Sequence, residues 1–192
     1  MNFNYKKNNT KGFTLVETLV AISILTISIL AGFTAVQESL RNSITAKNQI
    51  TAFYLVQDAM EYIKNVRDEN ALNFLDGNLS STWLKGISEA GTAPCWHGGG
   101  GAAKSCYIDT TLTVANGSIN NCTGTCPDIR REASSGLMGY NAAWTPTQFK
   151  RTIQLQEIVP NEEVRVTITI SWTQGVQSKS FQVSQSLFNR LQ

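Results

Sequence analysis

The sequence predicts an α+β protein in which one long N-terminal helix packs on an antiparallel β-sheet near the C-terminus. Three observations predict it: an apolar run at residues 13–33, an apolar stripe of helical spacing after it, and three alternating segments near the chain end. We expect residues 1–12 to form a basic leader and residues 13–34 a membrane-spanning helix. Residues 35–70 should continue that helix, and residues 71–192 should form a folded head.

Length and charge agree with a single anchored domain. The chain has 192 residues and a formal net charge of +2, enough for one domain plus an anchoring segment. The leader carries Lys6, Lys7 and Lys11 and no acid, so without it thirteen Lys and Arg face fourteen Asp and Glu. This near-neutral remainder lacks the overall basic character of many nucleic-acid-binding domains.

The apolar run "FTLVETLVAISILTISILAGF", residues 13–33, contains one charged residue, Glu17. At about 1.5 Å per residue it spans roughly one hydrocarbon thickness, which predicts a transmembrane helix. The basic leader places its N-terminal side in the cytoplasm and the rest of the chain across the membrane. An ionised carboxylate inside a bilayer costs about 2.5 to 3.5 kcal/mol, so Glu17 needs a partner or a purpose.

Two simpler interpretations of the N-terminus fit the sequence less well. A secretory signal cleaved near Ala31 or Ala35 would share the basic start, but the apolar run is longer than a typical signal core and helical patterning continues past its end. A plain single-pass anchor explains the length of the run. It leaves Glu17 without an explanation.

The helix is predicted to continue well beyond the membrane, from about Phe13 to about Asp68. Apolar residues recur three or four apart with charged residues between them, which indicates an amphipathic helix that buries one face. No proline precedes Pro94. A coiled coil is the alternative, but the spacing is not a strict heptad. The stripe comprises Val36, Leu40, Ile44, Ile50, Phe53, Val56, Met60, Ile63 and Val66.

Three C-terminal segments have the pattern of β-strands. "FKRTIQL", "VRVTITISW" and "SKSFQVSQSLF" are separated by turn residues, and the middle one alternates strictly between apolar and polar residues. The sheet should therefore bury one face against the helical stripe. "YIDTTLTV", residues 107–114, predicts an earlier strand, whereas residues 76–106 and 115–148 read as irregular.

Four cysteines, Cys95, Cys106, Cys122 and Cys126, fall within one short stretch. An even, clustered set in a chain with an export-like start favours disulfides formed outside the cytoplasm. Their spacing does not match a standard zinc knuckle pair, so no metal is expected. Among the three connectivities, we favour local pairing of Cys95 with Cys106 and of Cys122 with Cys126.

The segment "KGFTLVETLVAISIL" closely resembles the processing motif of type IV prepilins, with Gly12, Phe13 and Glu17 at the motif positions. The resemblance implies that a prepilin peptidase cleaves between Gly12 and Phe13 on the cytoplasmic face and N-methylates Phe13. It also implies that Glu17 meets the Phe13 amine of an adjacent subunit during assembly. A contact between Glu17 and Phe13 within one helix remains the alternative.

The family resemblance implies a pilin-like fold and a structural role without a cofactor. The partners it implies are other pilin subunits through the N-terminal helix, the prepilin peptidase, an inner-membrane assembly platform, and the lipid bilayer before assembly. The expected location is the inner membrane with the head outside, then a cell-surface or periplasmic filament. A looser resemblance, in "FKRTI" and "VTITISW", is to PilV-type minor pilins and to I-type pseudopilins of type II secretion.

Two departures from major pilins favour a minor pilin. No proline kinks the apolar helix, and no cysteine pair closes the C-terminal region. The alternatives are a type II secretion pseudopilin and a membrane-tethered module that binds DNA or another ligand and does not polymerise.

Enzymatic chemistry finds little support in the sequence. The only histidine, His97, lies in a loop without a recognisable nucleophile, and the glycine run at residues 98–101 lacks the Lys-Ser/Thr ending of a phosphate loop. DNA binding is the more serious rival, through Arg130, Arg131, Lys150 and Arg151 with Trp144 and Phe149 nearby. Strand alternation places Lys150 and Arg151 on opposite faces, which favours a mixed solvated surface instead.

Overall fold

The computed structural model describes residues 12–88, 93–96 and 104–190. The predicted leader up to residue 11, His97 and the glycine run at residues 98–101 lie outside the described residues. The chain divides into two compact units, residues 1–46 and residues 47–192. The elements are α1 (Leu15–Leu75), β1 (Cys106–Ile108), β2 (Ile119–Asn121), β3 (Asp128–Arg131), β4 (Met138–Gly139), β5 (Thr145–Val159), β6 (Glu163–Gln174) and β7 (Gln177–Phe188).

In the first unit, helix α1 exposes apolar side chains all around its circumference. Among the described residues, α1 is the one helix long and apolar enough to cross a membrane. Such a surface requires a non-aqueous environment, because exposing it to water is unfavourable in proportion to its apolar area. The large exposed side chains are Leu15, Val16, Leu19, Val20, Ile22, Ile24, Leu25, Ile27, Ile29, Leu30 and Phe33.

The polar side chains of this apolar segment donate hydrogen bonds to their own helix. Thr18 Oγ1 bonds the Leu15 carbonyl at 2.9 Å, and Ser23 Oγ bonds the Leu19 carbonyl at 2.8 Å. Thr26, Ser28 and Thr34 make the same kind of contact with carbonyls three or four residues earlier. These hydroxyl donors are therefore satisfied without water, which suits a helix in hydrocarbon.

In the second unit, the remainder of α1 packs on the sheet, as the sequence predicts. The buried helical face differs from the predicted stripe: Val56, Met60, Ile63 and Val66 are buried, but Ile50 and Phe53 are 57% and 51% exposed. Small residues account for part of the difference, because alanines allow a sheet to approach the helix closely. The buried apolar residues of the helix are Ala52, Leu55, Val56, Ala59, Met60, Ile63 and Val66.

The predicted stripe was therefore wrong for its first part, since Val36, Leu40 and Ile44 are also exposed. These three residues belong to the first unit, where the described residues provide no cover for them. The helix limits are close to those expected. It begins at Leu15 and ends at Leu75, beyond the predicted end near Asp68.

The three predicted C-terminal strands are confirmed as an antiparallel meander. Strand β6 pairs with β5 through Ile168 and Ile153, and with β7 through Ile168 and Val183. The alternating residues of β6 form the buried face, and none is more than 4% exposed. On its other edge β5 pairs with β1 and β3, while β2 pairs with β1 and β4 with β3. The buried residues of β6 are Val164, Val166, Ile168, Ile170 and Trp172.

The middle region contains more strands than the sequence indicates, but its first strand, β1, is shorter than predicted. "YIDTTLTV" was predicted as a strand throughout, whereas β1 ends at Ile108. Asp109 ends it, because its carboxylate accepts hydrogen bonds from the Thr111 N–H at 3.1 Å and from the Tyr140 N–H at 3.0 Å. The second irregular region contains the short strands β2, β3 and β4.

The head contains both disulfides with the expected local pairing. Cys95 joins Cys106, and Cys122 joins Cys126. Cys95 and Cys106 are fully buried and belong to the same core cluster as Trp83, Leu84 and Ile87. The first disulfide thus ties a loop segment to strand β1, whereas the second closes a tight turn before β3.

Candidate functional site

The segment around Gly12 and Phe13 lies just outside helix α1. Gly12, Phe13 and Thr14 have no regular secondary structure, and Phe13 is 80% exposed. The peptide bond between Gly12 and Phe13 is therefore not tied into the helical hydrogen-bond ladder. A Cβ added to Gly12 would meet no atom within 4 Å.

Thr14 caps the N-terminus of the helix, a role that the sequence analysis missed. Its carbonyl accepts the first helical hydrogen bond from the Thr18 N–H at 3.1 Å. Its hydroxyl accepts a hydrogen bond from the Glu17 N–H at 3.3 Å. The Thr-x-x-Glu spacing is that of a capping box, so the signal was present in the sequence.

Glu17 lies in the first turn of α1 with its side chain exposed. A carboxylate there interacts favourably with the partial positive charge of the helix N-terminus. Among the described residues, its side chain forms no ion pair or hydrogen bond. In the uncleaved chain the Phe13 nitrogen is an amide, so a cation appears there only if the preceding bond is cut.

Residues 7–33 match the model of the prokaryotic N-terminal methylation motif. The chain carries the type IV prepilin signature. The prepilin motif covers Gly12, Phe13, Thr14 and Glu17 and most of the apolar helix of the first unit. No curated protein and no solved structure matches the chain.

The prepilin signature has general consequences. It implies processing by a prepilin peptidase and association with other pilins, and it is typical of structural subunits rather than enzymes. With one long apolar N-terminal helix, it fits a pilin anchored in the inner membrane. The fold is likewise pilin-like, with a long helix packed on a C-terminal antiparallel sheet.

The candidate DNA patch of the head is not assembled as one surface. Arg151 is 1% exposed and Phe149 is 6% exposed, because both lie on the face of β5 that is turned toward the core. Lys150, on the opposite face, lies 3.2 Å from the Asp128 carboxylate. Arg130 donates to the carbonyls of Ala142 and Trp144, both at 3.0 Å. The expected alternation of Lys150 and Arg151 is confirmed, but the expectation of a solvated surface was wrong for Arg151 and Phe149, which are buried.

Proposed function

We propose that this protein is a minor pilin, a structural subunit of a type IV pilus-type filament. In this proposal a prepilin peptidase cleaves between Gly12 and Phe13 and N-methylates Phe13. The helix then leaves the bilayer for the filament core while the disulfide-stapled head faces outward. The observation that carries the proposal is the match of residues 7–33 to the methylation motif at the start of an otherwise apolar helix.

The surface of the first unit supports assembly through the helix. Its apolar side chains have no cover among the described residues, and its hydroxyls are bonded internally. A helix of this kind is stable both in lipid and among identical apolar helices, since neither environment demands polar partners. An inner-membrane assembly platform would move the subunit from the first environment to the second.

Gly12 and Phe13 are the proposed cleavage site. The open space around Gly12 indicates that the described fold does not require glycine for steric reasons. The exposed, non-helical backbone on either side of the bond favours access by a peptidase. Residues 1–12 would then be the leader, residues 13–34 the membrane and filament-core segment, residues 35–70 its amphipathic continuation, and residues 71–192 the head.

Glu17 is proposed to pair with the ammonium that cleavage creates at Phe13 of an adjacent subunit. The side chain has no ion-pair partner among the described residues, so its charge is available for such a contact. A buried ion pair adds little net stability but strongly penalises misalignment, because an unpaired charge in an apolar core is costly. Glu17 would therefore set the axial register of the filament.

The minor role is supported by two features of the sequence. No proline interrupts residues 12–75, and the four cysteines all lie before the C-terminal meander. Many principal pilins have a proline-kinked apolar helix and a C-terminal disulfide, and this chain differs from them in both respects. The filament would reach the cell surface, with the head exposed along it or at its end.

The test is the exchange of Glu17 for Ala, with Glu38→Ala as the matched control. Glu38 is the next acidic residue along the same exposed helix, beyond the apolar run. We expect Glu17→Ala to be cleaved normally but to be recovered in sheared filaments at about a tenth of the wild-type level or less. Glu38→Ala should be incorporated normally. Normal incorporation of Glu17→Ala would refute the register role.

A further inference from the structure

An open cleft of about 590 Å³ lies in the second unit, between α1, the loop residues 110–111, and residues 136–138 at the start of β4. Small-molecule sites usually measure about 300 to 1,000 Å³. All of its lining residues belong to the second unit. The filament proposal does not use this cleft.

One wall of the cleft is a single face of the helix. Thr51, Tyr54, Leu55 and Asp58 line it, with the spacing of residues that share one face. Leu55 is buried and provides an apolar floor, whereas Tyr54 is 64% exposed. The centroids of the Tyr54 and Phe53 rings lie 5.9 Å apart in an edge-on arrangement. A broad aromatic surface thus borders the cleft.

Asp58 supplies a fixed carboxylate beside this ring. Its Oδ2 atom accepts hydrogen bonds from Thr110 Oγ1 at 2.7 Å and from Arg151 Nη1 at 3.2 Å. Its Oδ1 atom has no partner among the described residues, and the side chain is 48% exposed. Thr110 and Arg151 therefore fix the orientation of the carboxylate, and Arg151 partly balances its charge. The Oδ1 atom is still able to accept a hydrogen bond from a ligand.

The hydroxyls that line the cleft present acceptors. Thr51 Oγ1 donates to the Lys47 carbonyl at 3.0 Å, and Thr111 Oγ1 donates to Asp109 at 2.6 Å. Each hydroxyl proton is thus used within the protein, and the oxygen lone pairs remain for a ligand that donates. Leu137 and Met138, at the start of β4, add further apolar surface to the cleft.

We propose that this cleft binds a pyranose ring of a carbohydrate. A neutral sugar combines an apolar C–H face, which stacks on an aromatic ring, with hydroxyls that donate to carboxylate and hydroxyl oxygens. An anionic ligand would meet the Asp58 carboxylate. A cationic ligand would have to compete with Arg151, which already pairs with that carboxylate at 3.2 Å, so the charge pattern favours the uncharged polyol.

The experiment uses the full chain in phospholipid nanodiscs, without alkyl glycoside detergents or glycolipids, which would compete for the cleft. Saturation-transfer NMR is recorded with the methyl glycosides of glucose, galactose, mannose and N-acetylglucosamine. We expect transfer to the ring protons of at least one glycoside, with millimolar affinity. Tyr54→Ala should weaken binding by about tenfold, and Tyr54→Trp should retain it.

Phe188→Ala is the matched control, because Phe188 is an aromatic residue of the second unit that is 58% exposed and does not line the cleft. It should bind the same glycoside as the wild type does. Absence of transfer for all four glycosides, or an affinity of Tyr54→Ala equal to that of the wild type, would overturn the proposal. Binding of n-butylammonium in place of the glycosides would also overturn it. Unfolding curves of both alanine variants establish that each head remains folded.

Discussion

Arg151 Nη1 lies 3.2 Å from Asp58 Oδ2, and this ion pair joins strand β5 to helix α1 within the second unit. The arginine side chain is 1% exposed and the aspartate side chain is 48% exposed. Arg151 also donates to the Leu55 carbonyl at 3.1 Å and to the Ile108 carbonyl. A buried cation thus connects the helix, β5 and the end of β1, so the pair should be important for the stability of the head.

Asp58→Ala should lower the free energy of unfolding of the head by about 2 to 3 kcal/mol, because it leaves a buried guanidinium without its counter-ion. Arg151→Met should cost less, since the half-exposed Asp58 can be hydrated. The double variant should be more stable than the sum of the two single effects implies. Denaturant unfolding of the full chain in nanodiscs, followed by near-ultraviolet circular dichroism, measures all three.

Lys150→Ala is the control for that series, because it removes the adjacent cation on the solvent face of the same strand. Its ion pair with Asp128 is exposed on both sides, so the cost should be below about 1 kcal/mol. A loss for Lys150→Ala as large as that for Asp58→Ala would contradict the special role of the buried pair.

The two disulfides should differ in their contribution to stability. Cys95 and Cys106 are separated by 11 residues and are fully buried, whereas Cys122 and Cys126 are separated by 4. Loop entropy gives about 3 kcal/mol for the first and about 2 kcal/mol for the second. Replacing each pair by serines and measuring unfolding tests the order, and the first replacement should be further destabilising because it places hydroxyls in the core. The reverse order would contradict this account.

The head should lose stability as the pH rises above about 10, the ordinary pKa of tyrosine. Burial raises the pKa of Tyr140, an effect that Arg151 partly opposes, and burial likewise raises the pKa of Tyr62. The folded state therefore holds these protons more tightly than the unfolded chain does. The stability that the two protonated tyrosines contribute is complete below the pKa of the unfolded chain. It is lost as the pH rises through the pKa of the folded state.

Tyr140→Phe isolates one of these two groups, because phenylalanine retains the ring that contacts Tyr107 at 4.5 Å but has no proton to lose. The unfolding free energy of this variant should fall less steeply between about pH 9 and pH 11 than that of the wild type. Parallel slopes for the two proteins would show that Tyr140 does not contribute.

Thr14→Ala should destabilise the first turn of the helix in the uncleaved chain. Loss of an N-cap typically costs about 0.5 to 2 kcal/mol, because a backbone N–H loses its acceptor. Hydrogen exchange at the Glu17 amide, which bonds Thr14 Oγ1 at 3.3 Å, should become faster. Thr14→Ser keeps the hydroxyl and should restore slow exchange; equal rates in all three proteins would exclude capping.

The helix and the C-terminal meander were predictable because their patterns are long and regular. Strand β6 alternates over its whole length, and no proline interrupts α1. The short strands β2, β3 and β4 were not predicted. Each has at most four residues, too few to show a period, and pairing with a neighbouring strand specifies them.

The buried face of helix α1 was predicted only in part, because hydrophobicity alone does not show which residues of a helix contact the sheet. Ile50 and Phe53 match the apolar period but remain half exposed, whereas Ala52 and Ala59 are buried. The burial of Arg151 could have been predicted, since alternation places it on the same face of β5 as Ile153 and Leu155. Its partner Asp58 could not, because the pairing depends on how the helix lies across the sheet.

The prepilin motif was predictable because it is contained in one short segment and does not depend on contacts between distant parts of the chain. Gly12, Phe13 and Glu17 lie within one short segment, and the match at residues 7–33 depends on that segment alone. The capping role of Thr14 required only the Thr-x-x-Glu spacing. The cleft beside Tyr54 and Asp58, by contrast, combines residues far apart in the chain.

The central claim, that the chain is processed as a prepilin, is tested most directly by the intact mass and N-terminal residue of the protein recovered from its host's membranes. The account predicts a chain that begins at N-methylated Phe13. A chain that begins between residues 32 and 36, or at Met1, would contradict it, because neither product would place an amine one turn before Glu17.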